Sequence, residues 1–144
     1  MLKGSSRKVL TLLALIALGG AACSSAEKAS TGGDEEALSR TEFTERIENF
    51  FEYDPLKAGK TSQFLIHLTD LSDGSPVEQA EVTLTIRSQG SGAEVGQTKA
   101  RVGKATGIYV AEVAIPNAGN YAVEFHVKND KLDERMPLTD FKVE

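Results

Sequence analysis

The sequence predicts an all-β protein built as a single antiparallel β-sandwich of about seven strands. Apolar and polar residues alternate with a period of two in successive short segments, which is typical of strands with one buried face. Clusters of glycine, proline, asparagine and aspartate separate these segments, as the turns of an antiparallel sheet require. No long apolar stripe with a 3.6-residue period follows residue 22, which disfavours helices packed on a parallel sheet.

Four segments show the alternation most clearly. Their predicted inward positions are Phe64, Ile66 and Leu68; Val82, Leu84 and Ile86; Tyr109, Ala111 and Val113; and Tyr121, Val123, Phe125 and Val127. Weaker strand candidates cover residues 43–53, 96–102 and 138–143. The breaker clusters lie at residues 54–60, 72–76, 89–92, 103–107 and 116–120, and they give the spacing of a sandwich.

Residues 1–22 are interpreted as a lipoprotein signal peptide and are set apart from the fold. Three positive charges precede an apolar run at residues 9–18, and small residues lead from the run to Cys23. The apolar run is shorter than the roughly 20 residues that a membrane-spanning helix needs. The segment therefore predicts export followed by cleavage, and not a permanent transmembrane helix.

Cys23 is the only cysteine of the chain, and we interpret it as the site of lipid attachment. One cysteine cannot form an internal disulfide, and a lone exposed thiol is an oxidation liability in an oxidising compartment. Cleavage by ordinary signal peptidase, which would leave Cys23 unmodified, is the alternative. Lipoprotein signals prefer a large aliphatic residue where this chain has Gly20. Ser24 after the cysteine favours the outer membrane over the inner one.

Residues 23–40 are predicted to form a disordered acidic tether, and residues 41–144 the sandwich domain. The tether has no aromatic or β-branched aliphatic residue, so it cannot bury enough apolar surface to become ordered. A short helix over residues 34–47 is the alternative. Loss of the signal peptide removes three positive charges and no negative ones, which changes the formal net charge from −5 to −8. Such a surface repels phosphate backbones, so nucleic acid is not an expected partner.

Tyr121 adds detail to the fold prediction. The segment Gly-Asn-Tyr at residues 119–121 opens the last clear strand, where immunoglobulin-like sandwiches carry a tyrosine corner. In that motif the tyrosine hydroxyl bonds back to the connection that precedes the strand. The antibody cysteines and tryptophan are absent from the sequence, so the prediction concerns an immunoglobulin-like fold and not an antibody domain.

Two stretches carry a resemblance to a known family. They are FFEYDPLKAGK at residues 50–60 and HLTDLSDGSPV at residues 67–77, and Gly107-Ile108-Tyr109 and Gly119-Asn120-Tyr121 fit later strands. Together they resemble the amino-terminal immunoglobulin-like module of periplasmic adaptor subunits in RND-type, heavy-metal-class efflux systems, a module related to YtkA-like domains. The resemblance implies a free-standing, lipid-tethered module that is accessory to an efflux or metal-handling system.

The possible metal ligands of the chain are few and scattered, and we predict no metal site. After the signal peptide the soft-metal ligands are His67, His126, Met136 and the acylated Cys23. His67 and His126, the weak candidates, occupy outward positions of strands expected in opposite sheets, so they should point away from each other. The acidic residues of the 70–78 loop lack EF-hand spacing and are interpreted as solvated turn residues.

No catalytic pattern is present either, and we expect neither an enzyme nor a cofactor. No Gly-x-Ser-x-Gly elbow and no phosphate-binding glycine loop occur in the sequence. Two functions remain open beside a purely structural role as a surface spacer. One is a lipid-anchored interaction module that binds another envelope protein, such as an efflux component, from the periplasmic side of the membrane. The other is a periplasmic metal- or solute-binding lipoprotein that delivers its ligand to a transporter.

Overall fold

The computed structural model describes residues 35–144, and all of its regular elements are β-strands. The strands are β1 Leu38–Phe43, β2 Ile47–Tyr53, β3 Thr61–Asp70, β4 Glu81–Ser88, β5 Glu94–Lys99, β6 Arg101–Val102, β7 Ile108–Ala114, β8 Gly119–Lys128 and β9 Asp133–Val143. Sheet A has the order β1-β2-β3-β7-β6, and sheet B has the order β5-β4-β8-β9. Every pairing between these strands is antiparallel. Within residues 35–144 there is no helix with the length and hydropathy needed to cross a membrane.

The core lies between the two sheets and follows the predicted alternation. All thirteen inward positions predicted from the four clearest segments are at most 6% exposed. Aromatic rings fill the centre: Phe51 lies 4.8 Å from Phe125 between ring centroids, and Tyr53 stacks on Phe64 at 5.0 Å. Phe141 of β9 joins this cluster from sheet B. The prediction of an all-β antiparallel sandwich is therefore confirmed.

The strand count differs from the predicted seven because two predicted segments each contain two strands. The candidate at residues 43–53 spans the end of β1, a turn and β2; the Thr44 side chain caps the turn by accepting hydrogen bonds from the backbone N–H groups of Arg46 and Ile47. The candidate at residues 96–102 breaks at Ala100, whose N–H donates to Val82 in sheet B at 2.8 Å. The next residues, Arg101 and Val102, pair with β7 in sheet A.

The start of the domain also differs from the prediction. β1 begins at Leu38, three residues inside the predicted tether, and the alternative of a helix over residues 34–47 is wrong. Polar residues dominate β1, so its sequence lacks the signal of a buried strand. It is a strand because it pairs along its whole length with the apolar strand β2. Residues 23–34 of the predicted tether, and the signal peptide, lie outside the described residues.

Candidate binding surface

The two outer faces of the sandwich differ in chemistry. On sheet B, charged side chains of neighbouring strands pair with one another. The ion pairs include Lys99 with Glu81 at 2.6 Å, Arg135 with Glu124 at 2.7 Å, and Arg87 with Glu94 at 3.4 Å. Charges that are already paired across the strands gain little from a further partner. This face is therefore a self-neutralised, solvated surface.

The outer face of sheet A instead carries an apolar strip, formed by Phe50, Leu65, Ile108 and Val110. Phe50 and Ile108 both lie opposite His67 in the strand register, and Leu65 lies opposite Val110. Phe50, Leu65 and Ile108 are half-buried although they point away from the core, and Val110 is 8% exposed. Contiguous apolar surface of this kind marks binding sites more often than scattered apolar residues do.

His67 lies within the apolar strip, as its predicted outward position requires. Its ring centroid is 5.3 Å from that of Phe50, with the ring planes tilted by 60°. Its Nε2 atom is buried and makes no hydrogen bond within residues 35–144. An unpartnered buried ring nitrogen is unfavourable, because it has lost water without gaining a donor or acceptor. His67 is thus a polar group held in an apolar setting.

Carboxylates border the apolar strip. Glu48 and Glu52 flank Phe50 along β2, and Glu112 follows Val110 along β7. Residues two apart in a strand share a face and lie about 7 Å apart. Among the ion pairs of residues 35–144, none involves these three carboxylates. The outer face of sheet A therefore combines apolar surface with unpaired negative charge.

A shallow groove of about 190 Å³ extends the apolar strip toward the first described residues. Leu65, Glu52 and Gln63 line it together with Ala37, which precedes β1. Close by, Glu35 pairs with Lys57 at 2.8 Å. The chain therefore enters the sandwich beside this face, at the end where the β2–β3 connection lies.

The sheet edges offer less opportunity for binding. β1 carries Arg40 and Glu42 on its inward side, and β9 contains Pro137, which lacks a backbone N–H. β6 has only two residues, and the pairing of β5 contains a register shift. Inward charges, proline, short length and irregular register are the features that protect edge strands from pairing with other chains. Binding by strand addition is therefore disfavoured relative to binding on the face of sheet A.

The structure separates the two predicted histidines. His67 lies on β3 of sheet A, whereas His126 lies on β8 of sheet B, with its Nε2 2.7 Å from Oδ1 of Asp133. That contact lowers the pKa of the Asp133 carboxyl. Within the described part of the chain, no group of three or more histidine, cysteine, aspartate or glutamate side chains is placed to hold a metal ion. Cys23 lies outside the described residues.

Tyr121 has the geometry of a tyrosine corner. Its hydroxyl donates to the carbonyl oxygen of Asn117 at 2.8 Å, in the connection before β8. A second tyrosine, Tyr109, makes a comparable contact that the sequence did not indicate. The Tyr109 hydroxyl donates to the carbonyl of Val77 at 2.8 Å and accepts from the N–H of Ala80 at 3.1 Å. Tyr121 and Tyr109 each connect a loop to a strand of the sandwich by hydrogen bonds.

Two carboxylates of the acidic loop after β3 accept hydrogen bonds from residues of the same loop. Oδ1 of Asp70 accepts from the Ser72 backbone and hydroxyl, and Oδ1 of Asp73 accepts in the same way from Ser75. These bonds lower the pKa of both carboxyls. A cavity of about 230 Å³ lies between this loop and the β8–β9 connection. Asp70 and Asp73 therefore act as turn-stabilising residues.

A family model described as YtkA-like matches residues 44–126, which is more than half of the chain. The chain belongs to the YtkA-like family. The matched residues run from the turn before β2 to near the end of β8, so they include the apolar strip and His67. No curated protein matches the chain.

Two solved structures are similar to this YtkA-like chain. One is "as isolated" FetP of uropathogenic E. coli strain F11, recombinantly expressed in the periplasm of E. coli, with 12% identity and a TM-score of 0.50 over 78% of this chain and 100% of FetP. The other is a copper-bound variant of the same protein, with 11% identity and a TM-score of 0.49 over 76% and 97%. At these identities the likeness to FetP shows the fold alone.

Proposed function

We propose that this YtkA-like chain is a non-enzymatic, lipid-anchored protein of the bacterial envelope that binds another envelope protein through the outer face of sheet A. The observation that carries the proposal is the contrast between the two outer faces. Sheet B pairs its charges internally, whereas sheet A presents the apolar strip beside unpaired carboxylates. Rigid scaffolds that present an apolar surface with a polar rim are typical of protein-binding modules.

Cys23 is the proposed anchor. Its acylation would hold the domain at the membrane, outer membrane favoured, with the sandwich on the periplasmic side. Several acyl chains on one terminus give stable attachment, because each buried methylene contributes about 0.8 kcal/mol. The FetP fold likeness and the resemblance to efflux adaptor modules agree with an envelope location. An efflux or metal-handling assembly is the proposed setting.

Site-specific cross-linking tests the interaction. A photoreactive phenylalanine analogue at Leu65 should give discrete high-mass adducts in irradiated cells, because Leu65 lies within the apolar strip. The matched control is the same analogue at Thr83, a half-buried outward position of sheet B. The Cys23→Ser variant should lose palmitate labelling and leave the membrane fraction. The proposal is wrong if Leu65 and Thr83 give the same adduct pattern.

A second candidate function is the metal- or solute-binding lipoprotein, and His67 is the observation that favours it. Its Nε2 has no hydrogen-bond partner within residues 35–144, and a neutral imidazole nitrogen is a common metal ligand. A single histidine does not complete a site, since metals such as zinc or copper need further ligands. The further metal ligands would have to come from outside the described residues or from another molecule.

Metal titration separates the two functions. If the interaction module is correct, copper, zinc, nickel and calcium should give no binding heat and no shift of the melting temperature. A shift with one of these ions that disappears in His67→Ala, but persists in His126→Ala, would favour the metal-binding function instead.

A further inference from the structure

We infer that the partner of sheet A is an apolar protein segment flanked by lysine or arginine side chains. This inference rests on the proposed function and specifies the chemistry of the partner. Its basis is the order of residues along two strands. β2 presents Glu48, Phe50 and Glu52 on the outer face, and β7 presents Ile108, Val110 and Glu112. Apolar and acidic side chains therefore alternate over one surface in fixed register.

The charge of this face is not compensated within the described structure. Glu48, Glu52 and Glu112 make no ion pair in residues 35–144. Apart from His67, the one basic residue among the described outward positions of sheet A is Arg101. It lies on β6 opposite Val110 of β7 and is exposed. It also has no ion pair in the described region, so the net negative charge of the face stays available to a partner.

The same charge excludes two other occupants. A second copy of this chain would bring its own three carboxylates against these, and like charges across an interface cost free energy. A surface of anionic lipid headgroups would be repelled for the same reason, in a chain whose net charge is −5 with its signal peptide included. A basic rim around an apolar centre satisfies both features of the face.

The two parts of this surface would act differently. Burial of Phe50, Leu65 and Ile108 would supply affinity, since apolar area removed from water contributes about 25 cal/mol per Å². The carboxylates would orient the partner and raise its association rate, an effect that salt screens. Binding should therefore weaken as ionic strength rises, without disappearing.

A peptide panel tests the chemistry directly. The probes are a fluorescent 14-residue amphipathic peptide of leucine and lysine, the same peptide with glutamate for every lysine, and the same peptide with serine for every leucine. The protein is the full chain carrying Cys23→Ser, which removes the lipid site. We expect binding of the leucine–lysine peptide alone, with an affinity about fivefold to tenfold lower at 500 mM than at 50 mM salt.

Two double variants separate local recognition from net charge. Glu52→Gln with Glu112→Gln removes carboxylates near Leu65 and should weaken binding about threefold to tenfold. Glu78→Gln with Asp130→Asn makes the same change of net charge in exposed loops at one end of the sandwich and should change affinity less than about twofold. Circular dichroism confirms that each variant is folded. Equal losses in the two variants, or equal binding of the glutamate peptide, would overturn the inference.

The outcomes distinguish this inference from the proposed function. If Leu65 cross-links specifically in cells but the peptides show no preference for lysine, the interaction module stands and the basic partner is wrong. If the Leu65 adducts are absent, the proposed function itself fails.

Discussion

Gly107 lies directly before β7, beneath the loop that connects β3 and β4. Its φ is +77°, and an added Cβ would lie 2.5 Å from Cβ of Pro76 and 3.1 Å from the carbonyl oxygen of Leu68. The Gly107 carbonyl also accepts from the N–H of Leu68 at 2.9 Å, so the backbone cannot move without breaking that bond. The position therefore requires glycine for two separate reasons, backbone conformation and space.

Gly107→Ala should lower the free energy of unfolding by about 2 to 4 kcal/mol, measured by urea denaturation. Left-handed backbone costs an L-residue about 1 to 2 kcal/mol, and overpacking costs about 1 to 3 kcal/mol. Gly59→Ala is the control, because Gly59 has a φ of +72° but nothing within 4 Å of the added Cβ. It should show the conformational cost alone, about 1 to 2 kcal/mol. Equal losses in the two variants would show that the contact with Pro76 contributes nothing.

Individual residues were predictable from sequence where their partners are local. The Tyr121 hydroxyl donates to the carbonyl oxygen of Asn117, four residues earlier. The sequence of this segment predicts a turn followed by a strand, so donor and acceptor could both be placed from the sequence. Tyr109 bonds to Val77, 32 residues earlier, and no local pattern indicates such a contact. The same holds for the unpartnered Nε2 of His67, whose burial depends on Phe50 from another strand.

At the level of elements, Arg40 connects two edge strands from opposite sheets. It lies on β1, and its guanidinium donates to Oδ1 of Asp140 on β9 at 2.8 Å while lying 5.1 Å from the ring centroid of Phe141. The hydrogen bond from Arg40 lowers the pKa of the Asp140 carboxyl. This contact fixes β1, a strand with mostly exposed side chains, to the far side of the sandwich.

Asp140→Asn should destabilise the protein at pH 7 by about 0.5 kcal/mol, a small value because the Asp140 side chain is 72% exposed and the pair is screened. Since the folded pKa of Asp140 is lowered, its contribution is complete above the unfolded pKa of about 4 and is lost as pH falls through the folded pKa. The difference between wild type and variant should therefore shrink between pH 5 and pH 2. Urea denaturation across this range measures it.

The control for this prediction is Asp130→Asn. Asp130 is exposed and makes no ion pair among residues 35–144, so its replacement should change stability little at either pH. A constant difference between Asp140→Asn and wild type at all pH values would contradict the assignment of the stabilising contact to the ionised carboxylate.

Elements with their own alternating pattern were predicted with the correct inward faces, as β3, β4, β7 and β8 show. Strands that form only because they pair with a neighbouring strand were not predicted correctly from the sequence. β1 has little apolar signal and exists through its pairing with β2. The sequence predicts β5 and β6 as one strand. The change of sheet at Ala100 is determined by hydrogen bonds to Val82 and to β7, and not by residue type.

At the scale of the whole molecule, the sequence indicated the sandwich and the outward position of His67, but not the difference between the faces. That difference depends on cross-strand register. Phe50 and Ile108 are 58 residues apart along the chain and meet across His67 only because β2 and β7 both pair with β3. On sheet B, the register instead brings Lys99 and Glu81 together.

The change of sheet at Ala100 has a mechanical consequence. Because β5 and β6 are consecutive parts of one chain path, sheet A and sheet B are joined covalently along one side by a single residue. On the other side, the Arg40 contact to Asp140 holds the two edge strands together. Sliding of one sheet past the other would strain the short link at Ala100 and would also disrupt the weaker Arg40 contact. A pull applied to sheet A would therefore be transmitted to sheet B through the link at Ala100.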